Sequence, residues 1–206
     1  LRESGVEIRL STAVTSVRRV ASGVEVKAAG GVYEYFDEVI FATHSDITLG
    51  MLSDPTEIER NSLNSIKYQS NTMVLHADTS IMPKRKAAWA SWVYTEEKNR
   101  KSDRIDLTYW INRLQNLPED DPCFVTLNTK RPIKSHLIYD QYVFDHPVFD
   151  LAALQGQRIL GNLNGTNSTW FCGAWMRNGF HEDGLATGME VARRILDQSA
   201  SMIAAE

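Results

Sequence analysis

Apolar and polar positions change rhythm twice along the chain. Val6-Glu7-Ile8-Arg9-Leu10 alternates, and Ala13 to Val20 alternates again, which is the period-2 pattern of half-buried strands. Gly5, just ahead of the first run, suits the left-handed position that ends a helix begun upstream. Ser22-Gly23 and Gly30-Gly31 turn the chain into Val24–Lys27 and Val32–Tyr35, predicting a three-stranded antiparallel meander. Val39-Ile40-Phe41-Ala42 is instead a continuous apolar run, expected of a strand covered on both faces in a parallel sheet. After Gly50, Asp54 as N-cap, Pro55 at the first helical position and Glu57 as the acid at N3 predict a helix start.

The middle of the chain is aromatic and strand-like. Runs at Met73–Leu75, Ala88–Tyr94, Leu107–Trp110, Cys123–Leu127 and His136–Phe144 are separated by polar connectors at 96–104 and 118–122. They predict a separate mixed or antiparallel sheet, after which Asp150 is placed to cap a short helix through Leu151, Leu154 and Gln155. Alternation of α and β returns at the end: a strand at Thr169–Cys172, a turn over 173–179, and a helix from Glu182 to Gln198. In that helix Leu185, Gly188, Met189, Ala192, Ile195 and Leu196 form the expected core stripe. Two discontinuous α/β segments, 1–50 and 155–206, therefore bracket a β-rich insertion at 51–154.

Composition narrows the function classes. With 206 residues, 43% hydrophobic and 23% charged, the chain reads as globular, with one domain or two small ones. Its 22 basic and 26 acidic side chains give a net charge of −4, which argues against a broad nucleic-acid footprint. Two cysteines, Cys123 and Cys172, make no disulfide framework and point to a reducing compartment such as the cytoplasm. No apolar run reaches the roughly 18–20 residues of a membrane helix, and no signal segment opens the chain. It starts Leu1-Arg2-Glu3-Ser4-Gly5 without Met, as if entering a fold already in progress.

The densest chemical signal is the stretch Phe171-Cys172-Gly173-Ala174-Trp175 through Gly179-Phe180-His181-Glu182-Asp183-Gly184-Leu185 to Gly188. A strand ends at a glycine, a loop follows, and Gly184 falls in the first turn of a helix. Free N–H groups there suit an anionic ligand, and Gly184 permits close approach to the backbone. Gly188, one turn on, would let the helix pack closely on a strand or a ligand. Plain helix–sheet packing, with acids offsetting the dipole, accounts for the same residues equally well. The histidines (His44, His76, His136, His146, His181) lack metal-ligand spacing, so no metal is expected. Lys84-Arg85-Lys86 ahead of Trp89 and Trp92 reads as a solvated loop or as a contact for an anionic lipid headgroup, hence peripheral membrane contact. Trp89, Trp92, Tyr109 and Trp110 divide between core and a substrate pocket, because alternate strand positions face opposite ways.

Taken in order, Leu10-Ser11-Thr12-Ala13-Val14, Val24-Glu25-Val26, Asp37 to Thr43 and the Phe171–Gly188 stretch resemble flavin-containing amine oxidases and phytoene-desaturase-like enzymes. Trp89-Ala90-Ser91-Trp92, Asn112-Arg113-Leu114-Gln115 and His146-Pro147-Val148-Phe149 are similar to a bacterial subgroup of NAD/FAD-binding oxidoreductases. Members of that subgroup are also fused to, or encoded beside, cyclopropane-fatty-acid synthases. The resemblance implies an α/β fold with an α+β insertion, the C-terminal part of an FAD/NAD(P)-binding Rossmann-like fold. Residues 1–50 and 155–206 would complete the FAD domain and 51–154 would form the substrate domain. It implies FAD as cofactor, with Val14 at the adenine, Thr43 ending the strand that returns to the cofactor, and Gly173, Ala174, Trp175, Glu182, Asp183, Gly184 and Leu185 along the flavin. Main-chain N–H groups near Gly184 and Leu185 would face the N1–C2=O edge. His181 would line or cap the site, or act as a general base; no catalytic residue is assigned.

The implied reaction moves a hydride from a substrate C–H to flavin N5, on a lipid acyl chain or another small molecule. A small-amine oxidase and a non-catalytic cofactor-fold module binding a partner or acyl lipid are the alternatives. Two features depart from the family pattern: Ala174 stands where many relatives carry an acid, and G-x-G-x-x-G is absent. The expected partner is therefore a missing N-terminal dinucleotide-binding segment of the same protein, without which the fragment is expected to be inactive.

Overall fold

The computed structural model describes residues 2–96 and 104–203. Along the chain run β1 (Val14–Val20), β2 (Gly23–Ala28), β3 (Tyr33–Phe36), β4 (Val39–Phe41), α1 (Ser45–Met51), α2 (Glu57–Ser65) and β5 (Lys67–His76). They are followed by β6 (Trp92–Thr95), β7 (Asp106–Trp110), α3 (Ile111–Leu114), β8 (Phe124–Leu127) and β9 (Ile138–Val148). The chain ends with α4 (Leu151–Leu163), β10 (Thr169–Phe171) and α5 (His181–Ile203). Residues 1–67 with 147–206 make one compact unit and residues 68–146 a second. The sequence pattern divides the chain after 50 and 154, whereas helix α2 and the start of α4 belong to the first unit. No described helix is long and apolar enough to cross a membrane.

In the first unit the meander forms as expected, with β1 and β3 antiparallel to β2 and Gly30 in the left-handed region. The strand expected at Val6–Leu10 does not form: among the described residues the segment has no sheet partner, and Arg9 is held by Glu7 and Glu34. Alternation alone cannot supply the neighbouring strand that a ladder requires. Gly5 does take a left-handed φ after a single 3-10 turn at Arg2–Ser4.

Helix α2 starts later than expected. Thr56, not Asp54, is its N-cap, in a capping box with Glu59 in which Pro55 lies outside the helix. Asp54 instead accepts from the Arg19 backbone and side chain. Arg19 also grips Glu59, and these two nearly buried side chains tie β1 to α2. Helix α1, which the sequence pattern did not predict, fills the return from β4 to α2.

Behind these elements α4 lies against α2, where Gly156 is required: a Cβ there would fall 2.8 Å from the Ser62 carbonyl oxygen and closer still to Ser65 Oγ. Asp150 caps α4 through the Ala153 N–H at 2.8 Å, and the helix runs 13 residues, longer than the sequence suggests. β10 pairs in parallel with β4, and the Phe41 and Phe171 rings stack at 5.9 Å. The outer edge of β10 is finished by one buried side chain, since Asn164 accepts from Phe171 N–H and donates to its carbonyl. Among the described residues β4 pairs only with β10. Its central residue Ile40 is 48% exposed, so the strand is covered less fully than its apolar run implies.

The second unit is a five-stranded sheet in the order β6-β7-β8-β5-β9. The β6–β7, β7–β8 and β8–β5 pairings are antiparallel, one of the two expected arrangements. Met82, Trp110 and Phe124 form its core, with Trp89 and Val93 against them. The strand expected over Ala88–Tyr94 begins only at Trp92, because a 3-10 turn occupies Lys86–Ala88. The connector read at 96–104 lies largely outside the described residues.

Candidate functional site

The final strand–turn–helix of the first unit is built around Gly173. Its φ of 134° is open to glycine, and a Cβ would stand 3.0 Å from Trp175 Nε1. Trp175 is buried and donates to the Thr43 carbonyl at 2.9 Å, joining the turn after β10 to the end of β4. From α4, Gln157 donates to the Trp175 and Arg177 carbonyls at 2.8 and 2.7 Å. Thr187 Oγ1 on α5 accepts from Gly173 N–H at 3.0 Å. Helix, turn and two parallel strand ends are thus locked by three side chains, Trp175 of the turn, Gln157 of α4 and Thr187 of α5.

Helix α5 begins at His181, and the Gly184 N–H is already bonded to the Phe180 carbonyl at 3.2 Å. The N–H groups of His181 and Glu182 precede that bond and have no partner within the helix. The N–H groups without an intrahelical partner therefore lie one turn earlier than Gly184 and Leu185, where the sequence points. Asp183 is committed locally: its carboxylate accepts from Phe180 N–H at 3.0 Å and Asn178 N–H at 3.2 Å, so it caps its own helix. Glu182 and His181 are exposed. Gly184 sits over Ala174, with the Ala174 nitrogen 3.6 Å from where a Cβ would be. That is ordinary contact, which Ala174 permits because its own side chain is small. A Cβ at Gly188 would meet nothing within 4 Å, so this glycine is not needed for close packing among the described residues.

The expected core stripe of α5 divides into two faces. Of the stripe, Ile195 packs on Trp170 and Cys172 together with Val191, which the stripe did not include, whereas Leu185, Met189 and Leu196 are 58%, 56% and 68% exposed. Both faces are apolar, and periodicity does not tell which one the sheet covers. Cys172 is buried in that packing, and burial pushes its thiol up, consistent with a structural residue rather than a nucleophile.

Val14 and Thr43 share an apolar groove of about 440 Å³, together with Ala13, Val26, Ile40 and Ile47. The structure brings Thr43 to the Gly173 turn through Trp175, whereas Val14 lies at the start of β1 on the groove wall. Ala13, Ile40 and Ile47 were not singled out from the sequence. For Ile40 the signal is the exposed apolar phase of β4, which becomes visible only once its pairing is known.

No family model matches the sequence, and no curated protein matches it. Solved structures do. The chain is similar to a fatty acid isomerase from P. acnes at 12% identity and TM-score 0.59, over 89% of this chain and 47% of that one. It is similar to putrescine oxidase bound to putrescine at 14% identity and TM-score 0.61, over 95% and 51%. It is also similar to reduced UDP-galactopyranose mutase at 12% identity and TM-score 0.54, over 84% and 43%. The likeness shows the fold: the mixed α/β architecture expected from the sequence is shared with these enzymes. The chain spans about half the length of each.

Proposed function

We propose that the chain is the C-terminal portion of an FAD-dependent oxidoreductase of the amine oxidase superfamily, completed by an N-terminal dinucleotide-binding segment. The observation that carries this reading is the Gly173 turn. It sets a glycine of positive φ at a parallel strand end, one short turn and loop ahead of the first turn of a long helix, with an apolar groove along the neighbouring strand. The residues present fit a dinucleotide cofactor. Val14 would border its adenine end, Thr43 would end the strand that returns to the cofactor beside the Gly173 turn, and Gly173, Ala174 and Gly184 would offer a surface without bulky side chains. The His181 and Glu182 N–H groups would meet an electronegative edge with the favourable end of the helix dipole. Exposed Leu185 would add apolar contact. Trp175 and Asp183 hold the turn and the helix start in shape. Bound there, FAD would supply the acceptor for a hydride from a substrate C–H.

The chain supplies no G-x-G-x-x-G turn for the pyrophosphate. Anion contacts at a helix end are worth about 0.3–2 kcal/mol each. Losing several should therefore cost orders of magnitude in affinity, since about 1.4 kcal/mol is tenfold.

For the substrate we favour a lipid acyl chain over a small amine, because the second unit displays exposed Trp92, Tyr94, Tyr139, Tyr142 and Phe144. The fold test is cofactor identification in the complete gene product. FAD is expected at near-stoichiometric content, Gly184→Val should lose it while remaining folded, and residues 1–206 alone should bind it far more weakly. A purified complete protein without flavin, or normal flavin content in Gly184→Val, would remove this assignment. Anaerobic mixing of holoenzyme with acyl phospholipids should bleach the flavin. Bleaching by putrescine-like amines and not by lipids would reverse the substrate ranking.

A further inference from the structure

The second unit contains a cavity of about 590 Å³ lined by two tryptophans and by cations, remote in sequence from the Gly173 turn. Both indole N–H groups are satisfied internally: Trp89 donates to the Pro83 carbonyl at 2.8 Å and Trp110 to Asn112 Oδ1 at 3.1 Å. The rings meet edge to face at 5.2 Å and 87°, so they present fixed apolar surface rather than donors. Lys86 reaches Glu119 at 3.3 Å, but with side chains 62% and 48% exposed the pair is weak and open to exchange. Arg113 has no ion pair among the described residues, and neither do Lys84 and Arg85 beside Lys86. The cavity lining thus sets two cations, Lys86 and Arg113, against one carboxylate, Glu119.

The cavity wall is also built to hold its shape. Buried Asn112 donates to the Pro118 and Asp121 carbonyls and accepts from Cys123 N–H and Trp110 Nε1. Every donor and acceptor of its amide is used, and the loop that follows Arg113 and carries Glu119 is clipped to β8. A loop fixed this firmly keeps the backbone that carries Glu119 in place, so binding has to order only the exposed side chains.

We propose that this cavity binds a small amphipathic anion, a carboxylate or phosphate group carried on a flat apolar body. Arg113 and Lys86 hold the anionic head, the Trp89 ring and the edge of buried Trp110 contact the body, and Glu119 competes with the ligand for Lys86. The proposal does not rest on the flavin reading, and its test is an equilibrium titration without turnover. Calorimetric titration of the complete gene product with phenylacetate and phenyl phosphate should show saturable binding, and the better of the two identifies the head group. Benzyl alcohol, lacking the charge, and inorganic phosphate, lacking the apolar body, should each bind about tenfold or more weakly.

Arg113→Gln should weaken the aromatic anion by about tenfold, the loss of a charge-assisted hydrogen bond. Lys86→Gln should weaken it less, and Glu119→Gln should strengthen it. These side chains are exposed, so near-ultraviolet circular dichroism should stay unchanged in all three variants. Absence of binding by either aromatic anion, equal binding of benzyl alcohol, or unchanged affinity in the Arg113→Gln, Lys86→Gln double variant would overturn the assignment.

Discussion

The two units bury their centres by different means. In the first, Trp170, Phe171, Leu160 and Val191 make an apolar core, and further apolar side chains remain exposed along β4, α1 and the second face of α5. In the second, a polar ladder runs through the centre of the sheet. Asp78 N–H donates to His76 Nδ1 at 3.0 Å, so the His76 proton is on Nε2, which donates to Thr126 Oγ1 at 2.8 Å. Thr126 meets Thr108 at 2.9 Å across the β7–β8 pair. All four residues are buried. A saturated polar ladder tolerates no register but its own, because a slip would strand every member unpaired.

The largest effect should come from the apolar core. Trp170→Ala should destabilise the first unit by about 3–5 kcal/mol through cavity formation, read from the denaturant midpoint. A loss near that of a surface substitution would mean that its core is not organised around this ring.

Asn112→Ala tests the second unit in the same way. It removes four hydrogen bonds at one buried point, and the loss should be about 2–4 kcal/mol, since each buried group left unpaired costs about 1–3 kcal/mol. Hydrogen exchange should rise over residues 112–123 and stay unchanged in α4 and α5. Uniform exchange changes in both units would show that they do not respond separately.

Acid should separate the units more gently. Burial holds the His76 imidazole below its ordinary value of 6.5, and the nearby Arg131 charge acts in the same direction, outweighing the upward pull of Asp78. The unfolded chain then binds the proton more readily, so stability of the second unit should fall as pH drops below about 6.5 and through the lower folded value. For Asp78, burial pushes the carboxyl up, but the Lys134 N–H and the Ser80 hydroxyl and N–H outweigh it and bring it from 3.8 to about 2. Its contribution is present above 3.8 and is lost between 3.8 and about 2. Urea midpoints measured against pH should slope in both windows, and His76→Gln should flatten the upper one. An NMR titration placing His76 at its ordinary value would contradict this.

The smallest effect on folding should be at the open face. Leu185→Ser should change stability by less than about 0.5 kcal/mol, as exposed positions do, while lowering flavin content in the complete gene product. Unchanged flavin content would remove Leu185 from the cofactor surface.

Much of the element order was legible in the sequence because it rests on local physics. Gly-punctuated alternation marked the meander, Asp150 marked the start of α4, and strand, glycine and helix were visible from Thr169 to α5. Misplacements arose where a distant partner decided. Alternation at Val6–Leu10 found no strand to pair with. Asp54 was drawn to Arg19, leaving Thr56 to cap α2. Of the candidate site, the sequence located the Gly173 turn and the start of α5, but not which N–H groups stay open or that Asp183 serves its own helix.

What the sequence alone determined is therefore periodicity, punctuation and capping chemistry, each set by residues within a few positions of one another. The tertiary structure decided which apolar face is covered: Val191 and Ile195 on α5 rather than Leu185 and Met189, and Phe41 on β4 rather than Ile40. It also brought Thr43 to Trp175 and set Asn112 to hold the loop that follows Arg113. The physical reason is that a helix or strand fixes only the spacing of its side chains. Which neighbours remove them from water, and which polar groups must pair across the chain, follow from long-range packing.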